Sequence, residues 1–343
     1  MTLHTHTQPD PALHADPALP GWQTRSAEAA RAVLRCPALR VRPLAEPVPA
    51  ALLGSEAGEL FAHLVRMQDG AAHANLKAAI RQALDNFEHA ALRERTRHVA
   101  RQLPAPQTGD ELTAYCYHLP SAVLADAFGL APAHWPAIGQ EVLAMLRCIA
   151  PGGLPAEIAA GARAASQLMQ RIRQQLDHPG PLLQTLAQTL ERSGLANTTT
   201  LLVANAVGLW FQACEGCAGL IGQSLLQAEQ QQWQGQSRDW IRQALHVQAP
   251  IQNTRRFAAE PVNLLGCPVQ AGDTLLITLA GHTADGPNDL AFGDGVHACP
   301  GADWADAVAQ GGIEHLLQGG ISRRPLPSWH WRRSLNARVV EFE

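Results

Sequence analysis

The stretch Phe292-Gly293-Asp294-Gly295-Val296-His297-Ala298-Cys299-Pro300-Gly301 decides how this chain is read. It sets one cysteine in a loop with three glycines, and the run from Ala302 to Leu317 that follows reads as a helix. Glycines at 293, 295 and 301 let the backbone turn closely around Cys299, so that amide N–H groups can point at its sulfur. The helix after the loop brings its positive N-terminal end to the same place. A deprotonated sulfur needs such surroundings, whereas an inert buried thiol does not.

Outward from this loop the pattern is strand-like. Val262 to Leu265 and Thr274 to Leu279 read as strands with Ala271-Gly272-Asp273 as the turn between them. Further upstream, Thr198 to Ile221 is apolar on nearly every side, the signature of a helix through the middle of a large domain. Two shorter helices are predicted after it, near Leu225 to Trp233 and from Ser237 to Val247.

Helix also dominates the earlier sequence. Ser26 caps a helix over Ala27 to Leu34, preceded by a short strand at Gly21 to Thr24. A second helix starts at Asp69, with Leu76, Ile80, Leu84 and Phe87 on one face and His73 and Lys77 on another. The stretches 111–146 and 156–176 favour helix, broken by Pro132, Pro136 and the Pro151-Gly152-Gly153 turn. The fold class expected is mainly α with a small β portion. A tail, disordered or extended, is predicted over residues 1–20, and a single domain over 21–343.

Composition narrows the function. In 343 residues, hydrophobic types make up 46% and charged types 16%, a globular balance. A formal net charge of -4 gives no reason to expect nucleic acid or anionic lipid as a partner. The N-terminal stretch lacks the basic and apolar regions of a signal peptide, and no apolar run reaches membrane-spanning length, so the expectation is a cytoplasmic protein with no membrane partner. Seven scattered cysteines form no disulfide framework. Cys214-Glu215-Gly216-Cys217 is a C-x-x-C inside an apolar helix, where core thiols are expected rather than a redox or zinc pair. His4, His6 and His14 lie in the polar tail. No G-x-S-x-G, Walker loop or dinucleotide fingerprint occurs.

The cysteine loop resembles the haem-binding signature of the cytochrome P450 family, F-G-x-G-x-H-x-C-x-G, with Phe292, Gly293, Gly295, His297, Cys299 and Gly301 in the specified positions. The resemblance implies the cytochrome P450 fold and haem b (iron protoporphyrin IX), with Cys299 as the axial metal ligand. Phe292 would cover the proximal side, and His297 resembles the family residue that hydrogen-bonds a propionate. Gln68 to His73, followed by Lys77, is similar to the family helix whose His and basic residue bind propionates, with Lys77 standing where Arg is usual. Arg256 resembles a further propionate-binding Arg, with Arg255 facing solvent. The implied activity is oxidation of a small organic molecule, a monooxygenase-type tailoring step in specialised metabolism. A ferredoxin or flavoprotein would supply electrons.

Three departures from the family pattern stand out. Gln243-Ala244-Leu245-His246 occupies the E-x-x-R position, and the loop that in the family carries the partner Arg is drastically shortened here, running from His282 to Leu290, so all partners are lost together. The acid-alcohol pair beside the distal oxygen site is missing. An ungapped register puts Ala204-Asn205-Ala206-Val207-Gly208-Leu209 there, making Ala204, Asn205 and Gly208 the distal-pocket candidates; another register uses Ala213 to Cys217, keeps Glu215 and replaces the Thr by Gly216. The third is length, since the chain is shorter than typical members. These departures leave three alternatives open: a peroxide-dependent haem-thiolate enzyme, a non-oxygenating one, and a non-catalytic haem-binding protein.

Overall fold

The apolar run beginning at Thr198 forms the axis of the molecule. In a computed structural model that describes residues 12–15, 21–148, 154–281, 289–334 and 336–343, it is one helix of 33 residues. The elements in chain order are β1 (Leu13–Ala15), β2 (Trp22–Thr24), α1 (Ala27–Arg35), β3 (Leu39–Arg40), α2 (Glu56–Ala62), α3 (Gly70–Asp85), α4 (His89–Ala100) and α5 (Gly109–Phe128). They continue with α6 (Trp135–Cys148), α7 (Pro155–Gln175), α8 (Pro181–Arg192), α9 (Thr198–Gln230), α10 (Ser237–Gln248), β4 (Asn253–Ala258), β5 (Val262–Leu264), β6 (Cys267–Val269), β7 (Thr274–Thr278), α11 (Ala302–Gln318), β8 (Trp329–Trp331) and β9 (Val340–Phe342). The expected class, mainly α with a small β portion, is what the chain adopts.

Helix α9 runs on through the residues expected to form a separate helix near Leu225, because no breaker interrupts 223–230 and Leu225, Leu226 and Ala228 continue its buried surface. Helices α5, α7, α8, α10 and α11 pack around it. By length and composition α9 could cross a membrane, yet 72% of its most apolar window is buried inside the protein. Three smaller features differ from expectation. Leu13–Ala15, within the expected tail, pairs antiparallel with β2. Strand β5 turns back on β6, not on β7, because Gly266, at φ +81, and Leu265 close a tight hairpin before 267. The Pro151 to Gly153 turn, the 282–288 part of the shortened loop, and His4 and His6 lie outside the described residues.

The larger sheet has the order β1-β2-β7-β4-β3, with β2 and β7 parallel and the other pairs antiparallel. Its β4 strand alternates, so Arg255 is exposed while Arg256 and Ala258 are buried. A second apolar cluster, formed with α1, lies beneath this sheet.

Asn205 fixes α9 to the segment that follows α2. Buried to 1% exposure, its side-chain oxygen accepts from the Val65 amide at 2.9 Å and its nitrogen donates to the His63 and Leu201 carbonyls at 3.0 and 2.9 Å. Gly208, one turn on, lets Leu64 approach: a Cβ there would stand 2.6 Å from the Leu64 Cδ2 atom. Asn205→Leu keeps the side-chain volume but strips the buried Val65 N–H of its acceptor. The expected loss is about 1–3 kcal/mol of unfolding free energy, read from urea denaturation of the purified variant.

Candidate functional site

The Cys299 loop is shaped by its glycines and tied to its neighbours by charge. Gly293 and Gly295 sit at φ +73 and +67, a conformation other residues adopt only with strain, whereas Gly301, at φ -104, does not need to be glycine for its backbone. The Cys299 amide donates back to the Phe292 carbonyl at 2.8 Å, closing the loop. The Gly301 amide donates towards the Cys299 sulfur. Asp294 caps the turn at Gly295 and pairs with Arg35 at 2.9 Å, and Arg31 pairs with Asp289, so α1 is fastened to both ends of the loop's first half.

Helix α3 fastens the second half. The Lys77 ammonium donates to the carbonyls of Val296, at 2.6 Å, and Ala298. The His73 ring lies against that of His297 with centroids 4.1 Å apart, and His297 Nε2 meets the Asp69 carboxylate at 3.0 Å. Asp69, at the N-cap position of α3, does not cap the helix with its side chain; it also accepts from the Val41 amide at 3.1 Å. The i,i+4 spacing of His73 and Lys77 brings both to the loop, where Lys77 binds backbone carbonyls, a contact that the sequence reading did not foresee.

Burial governs the electrostatics here. His73 is pushed down to about 4, first by burial and then by His297 and Lys77, with Asp69 opposing. Lys77 falls to about 8, chiefly through burial, against the attraction of Cys299. Arg256 is lowered by burial, and among the described residues it donates to Thr254 Oγ1 and the Arg255 carbonyl. The Cys299 thiol is raised by burial, while the Gly301 amide, Lys77 and Arg66 favour the thiolate.

Opposite the loop stands the middle of α9. Leu209, Gln212, Ala213 and Gly216 are partly accessible in a helix buried before and after them, and their i, i+3, i+4, i+7 spacing makes one stripe. A Cβ at Gly216 would meet nothing within 4 Å. Cys299 and Arg66 also keep accessible surface although the protein around them desolvates both, so they line an internal hollow with this stripe. Cys217 and Cys299 lie within electrostatic reach of each other. The open stripe coincides with the register through Ala213 to Cys217. Ala204, Asn205 and Gly208 are instead buried, with Asn205 and Gly208 against 63–65.

Two groups were missed by sequence reasoning. Arg332, after β8, pairs with Glu215 at 2.7 Å and donates to the Tyr117 hydroxyl at 3.0 Å, a bridge between elements more than 100 residues apart with no local signature. Arg66, in the turn Val65–Met67, places its guanidinium 6.0 Å from the Phe211 ring centroid. Its place two residues before Gln68, beside the quoted propionate motif, was the available hint. Cys214 and Cys217 are core thiols: burial raises both, Cys214 to about 12. Among the described residues no group of three metal-ligating side chains exists, and the seven cysteines are free.

No family model matches the chain. The cytochrome P450 monooxygenase PikC of Streptomyces venezuelae is 35% identical to it over 94 residues, which cover 23% of this chain and 23% of that protein. Solved structures match over nearly the whole length. P450BioI, in complex with an acyl carrier protein ligated to hexadec-9Z-enoic acid, superposes with a TM-score of 0.76 at 19% identity, covering 96% of this chain and 92% of that one. TamI, bound to tirandamycin C, gives 0.71 at 21% identity, with 97% and 93% covered. CYP109B1 of Bacillus subtilis gives 0.72 at 16% identity, with 97% and 95% covered. The chain has the cytochrome P450 fold.

Proposed function

We propose that the chain is a haem-thiolate oxidoreductase acting on a small organic molecule, with Cys299 as the axial ligand to haem b. The observation that carries this reading is the charge imbalance around Cys299. Arg66, Lys77 and Arg256 are cations that the surrounding protein desolvates, His73 and His297 stand beside them, and the carboxylates acting on this group are Asp69, on Arg256 and His73, and Glu215, on Arg66. A site so built calls for anions, and a thiolate with two propionates supplies them. His73, Lys77, Arg256 and His297 would hold the propionates, and Phe292, Gly293 and Gly301 shape the loop behind the sulfur.

When bound, thiolate-ligated haem supplies oxidising chemistry at its iron, favoured by electron donation from sulfur. The chain's own contributions are separable from that. The Gly301 amide, Lys77 and Arg66 stabilise negative charge on Cys299. The α9 stripe offers a partly apolar wall for substrate. Gly216 leaves room where the family has a hydroxyl, so a proton reaching the hollow at that level travels through water or is brought by the ligand.

A monooxygenase-type tailoring step, fed by a ferredoxin or flavoprotein, is the preferred activity, in keeping with PikC and with the tirandamycin C-bound TamI. The open space at Gly216 favours a second reading, in which peroxide is the oxidant. Turnover separates the two: a protein that consumes reductant with substrate follows the first, and one that needs only hydrogen peroxide follows the second.

Three outcomes are expected. The reduced protein gives the red-shifted carbon monoxide band of a thiolate-ligated haem, and Cys299→Ala abolishes that band; a variant that keeps it removes the ligand assignment. Arg256→Leu lowers haem affinity on the order of 10-fold in haemin titration, the size of one charged hydrogen bond. In the haem-free protein, His73 is neutral when folded and titrates near 6.5 when unfolded, so its burial costs stability only below that value. The melting temperature should therefore fall between pH 6.5 and about 4, with His297, Lys77, Asp69 and Arg256 the charges facing it, and His73→Gln should flatten that part of the profile.

A further inference from the structure

We propose that the polar seam between the β8–β9 hairpin and α9 is the route by which protons pass between solvent and the open space at Gly216, with Arg332 the positioning residue that holds its inner carboxylate, Glu215. The proposal rests on the haem-thiolate reading and supplies the path that the missing hydroxyl leaves to water.

The seam follows from strand alternation. Arg332 extends β8 by one residue, its amide donating to the Val339 carbonyl at 2.9 Å. Its side chain therefore shares a face of the hairpin with His330 and with Glu341, the partner of His330 in register. His330 Nε2 meets Glu341 at 3.2 Å, Glu341 lies within electrostatic reach of Arg332 and Tyr117, and Arg332 meets Glu215 at 2.7 Å. Side-chain exposure falls from 53% at His330 through 31% at Glu341 to 20% at Arg332 and 21% at Glu215. A line of charged groups thus runs from the surface to the middle of α9, while Val340 and Phe342, on the opposite face of the hairpin, are buried in the apolar core.

Stability alone does not account for such a line, because replacing a buried ion pair by apolar side chains of similar volume is often neutral or favourable. Charged groups drawn in from bulk solvent keep water where there is room for it. Arg332 carries no proton itself, since a guanidinium stays charged. Its Nη1 atom serves both Glu215 Oε1 and, at 3.0 Å, the Tyr117 hydroxyl, and the guanidinium lies 5.7 Å from the Tyr117 ring centroid. Glu215 is held through one oxygen, which leaves the other to accept from water. Glu215 and Cys299 both act on Arg66, so they look onto the same interior, and a Cβ at the adjoining Gly216 would meet nothing within 4 Å. A proton released by a ligand in that space passes to the Glu215 carboxylate and then, by water, past Glu341 and His330 to solvent; the reverse path delivers one, and the carboxylate is regenerated either way.

The test uses the haem-loaded protein and two small probes. At pH 7 hydrogen cyanide enters as a neutral molecule and binds ferric haem as the anion, so its association gives up a proton. Carbon monoxide binds the reduced protein with no proton transfer. Both rates are read by stopped-flow absorbance. Arg332→Gln and Glu215→Gln should each slow cyanide association on the order of 100-fold, within the range of general base catalysis, and leave the carbon monoxide rate unchanged. Arg332→Lys should recover most of the cyanide rate. Glu341→Gln, nearer the mouth of the seam, should slow cyanide by a smaller factor.

The proposal is overturned if Arg332→Gln binds cyanide at the wild-type rate, or if its cyanide and carbon monoxide rates fall together, as a merely structural role would produce. It is also overturned if Glu215→Gln alone has an effect, because the proton then enters by another way. Should Arg332→Gln fail to fold, the Arg332→Lys, Glu215→Gln and Glu341→Gln proteins decide by the same criteria. A wild-type protein that takes up no haem defeats the underlying reading instead, and that failure is seen before either probe is added.

Discussion

Two carbonyls of the cysteine loop, those of Val296 and Ala298, converge on the Lys77 ammonium, and the rest of the site depends on that convergence. Within the same loop the Cys299 amide closes on the Phe292 carbonyl and the Gly301 N–H faces the Cys299 sulfur. A lysine can serve this role because three donors on a compact head reach two carbonyls at once. The family's usual Arg is suited to a propionate; the Lys here also braces the loop itself. His297, held by Asp69 and stacked on His73, closes the same seam.

On α10, Gln243-Ala244-Leu245-His246 stands where the family that the sequence resembles has its E-x-x-R pair. Gln243 is exposed on α10, so no carboxylate is stranded there without a partner. Removing every charged member of such a network can be nearly neutral, whereas keeping one would be costly. In its place, α1 reaches the proximal loop through Arg31 with Asp289 and Arg35 with Asp294. These pairs are partly solvated and individually weak, so they set the position of the loop more than the stability of the fold. Close approach helps them: a Cβ at Gly295 would stand 3.1 Å from the Leu34 carbonyl oxygen.

Much of this was legible in the sequence because it is local. The cysteine loop and the helices over 27–35, 70–85 and 302–318 each follow from spacing or capping within one element, while the inward-facing Arg256 came from the family resemblance of 253–258. What could not be read depends on partners far apart in the chain. Nothing near Arg332 announces Glu215, and nothing near Asn205 announces that its amide serves His63 and Val65 and not the hollow. The register of α9 was ambiguous for the same reason: an all-round apolar helix has no polar face to orient it. The hairpin at Leu265 was missed because only Gly266 marks it, and a single glycine is a weak turn signal.

The two registers differ in more than numbering. With Asn205 and Gly208 packed against 63–65, the helix is rotated so that the stripe through Gln212 and Gly216 faces inward, and the acid next to it, Glu215, is committed to Arg332 and through it to the Tyr117 hydroxyl. Gln212 likewise spends its amide on the Gly208 carbonyl at 2.8 Å. The polar side chains along this part of α9 are thus satisfied by the protein itself, and the space at Gly216 is left to whatever enters.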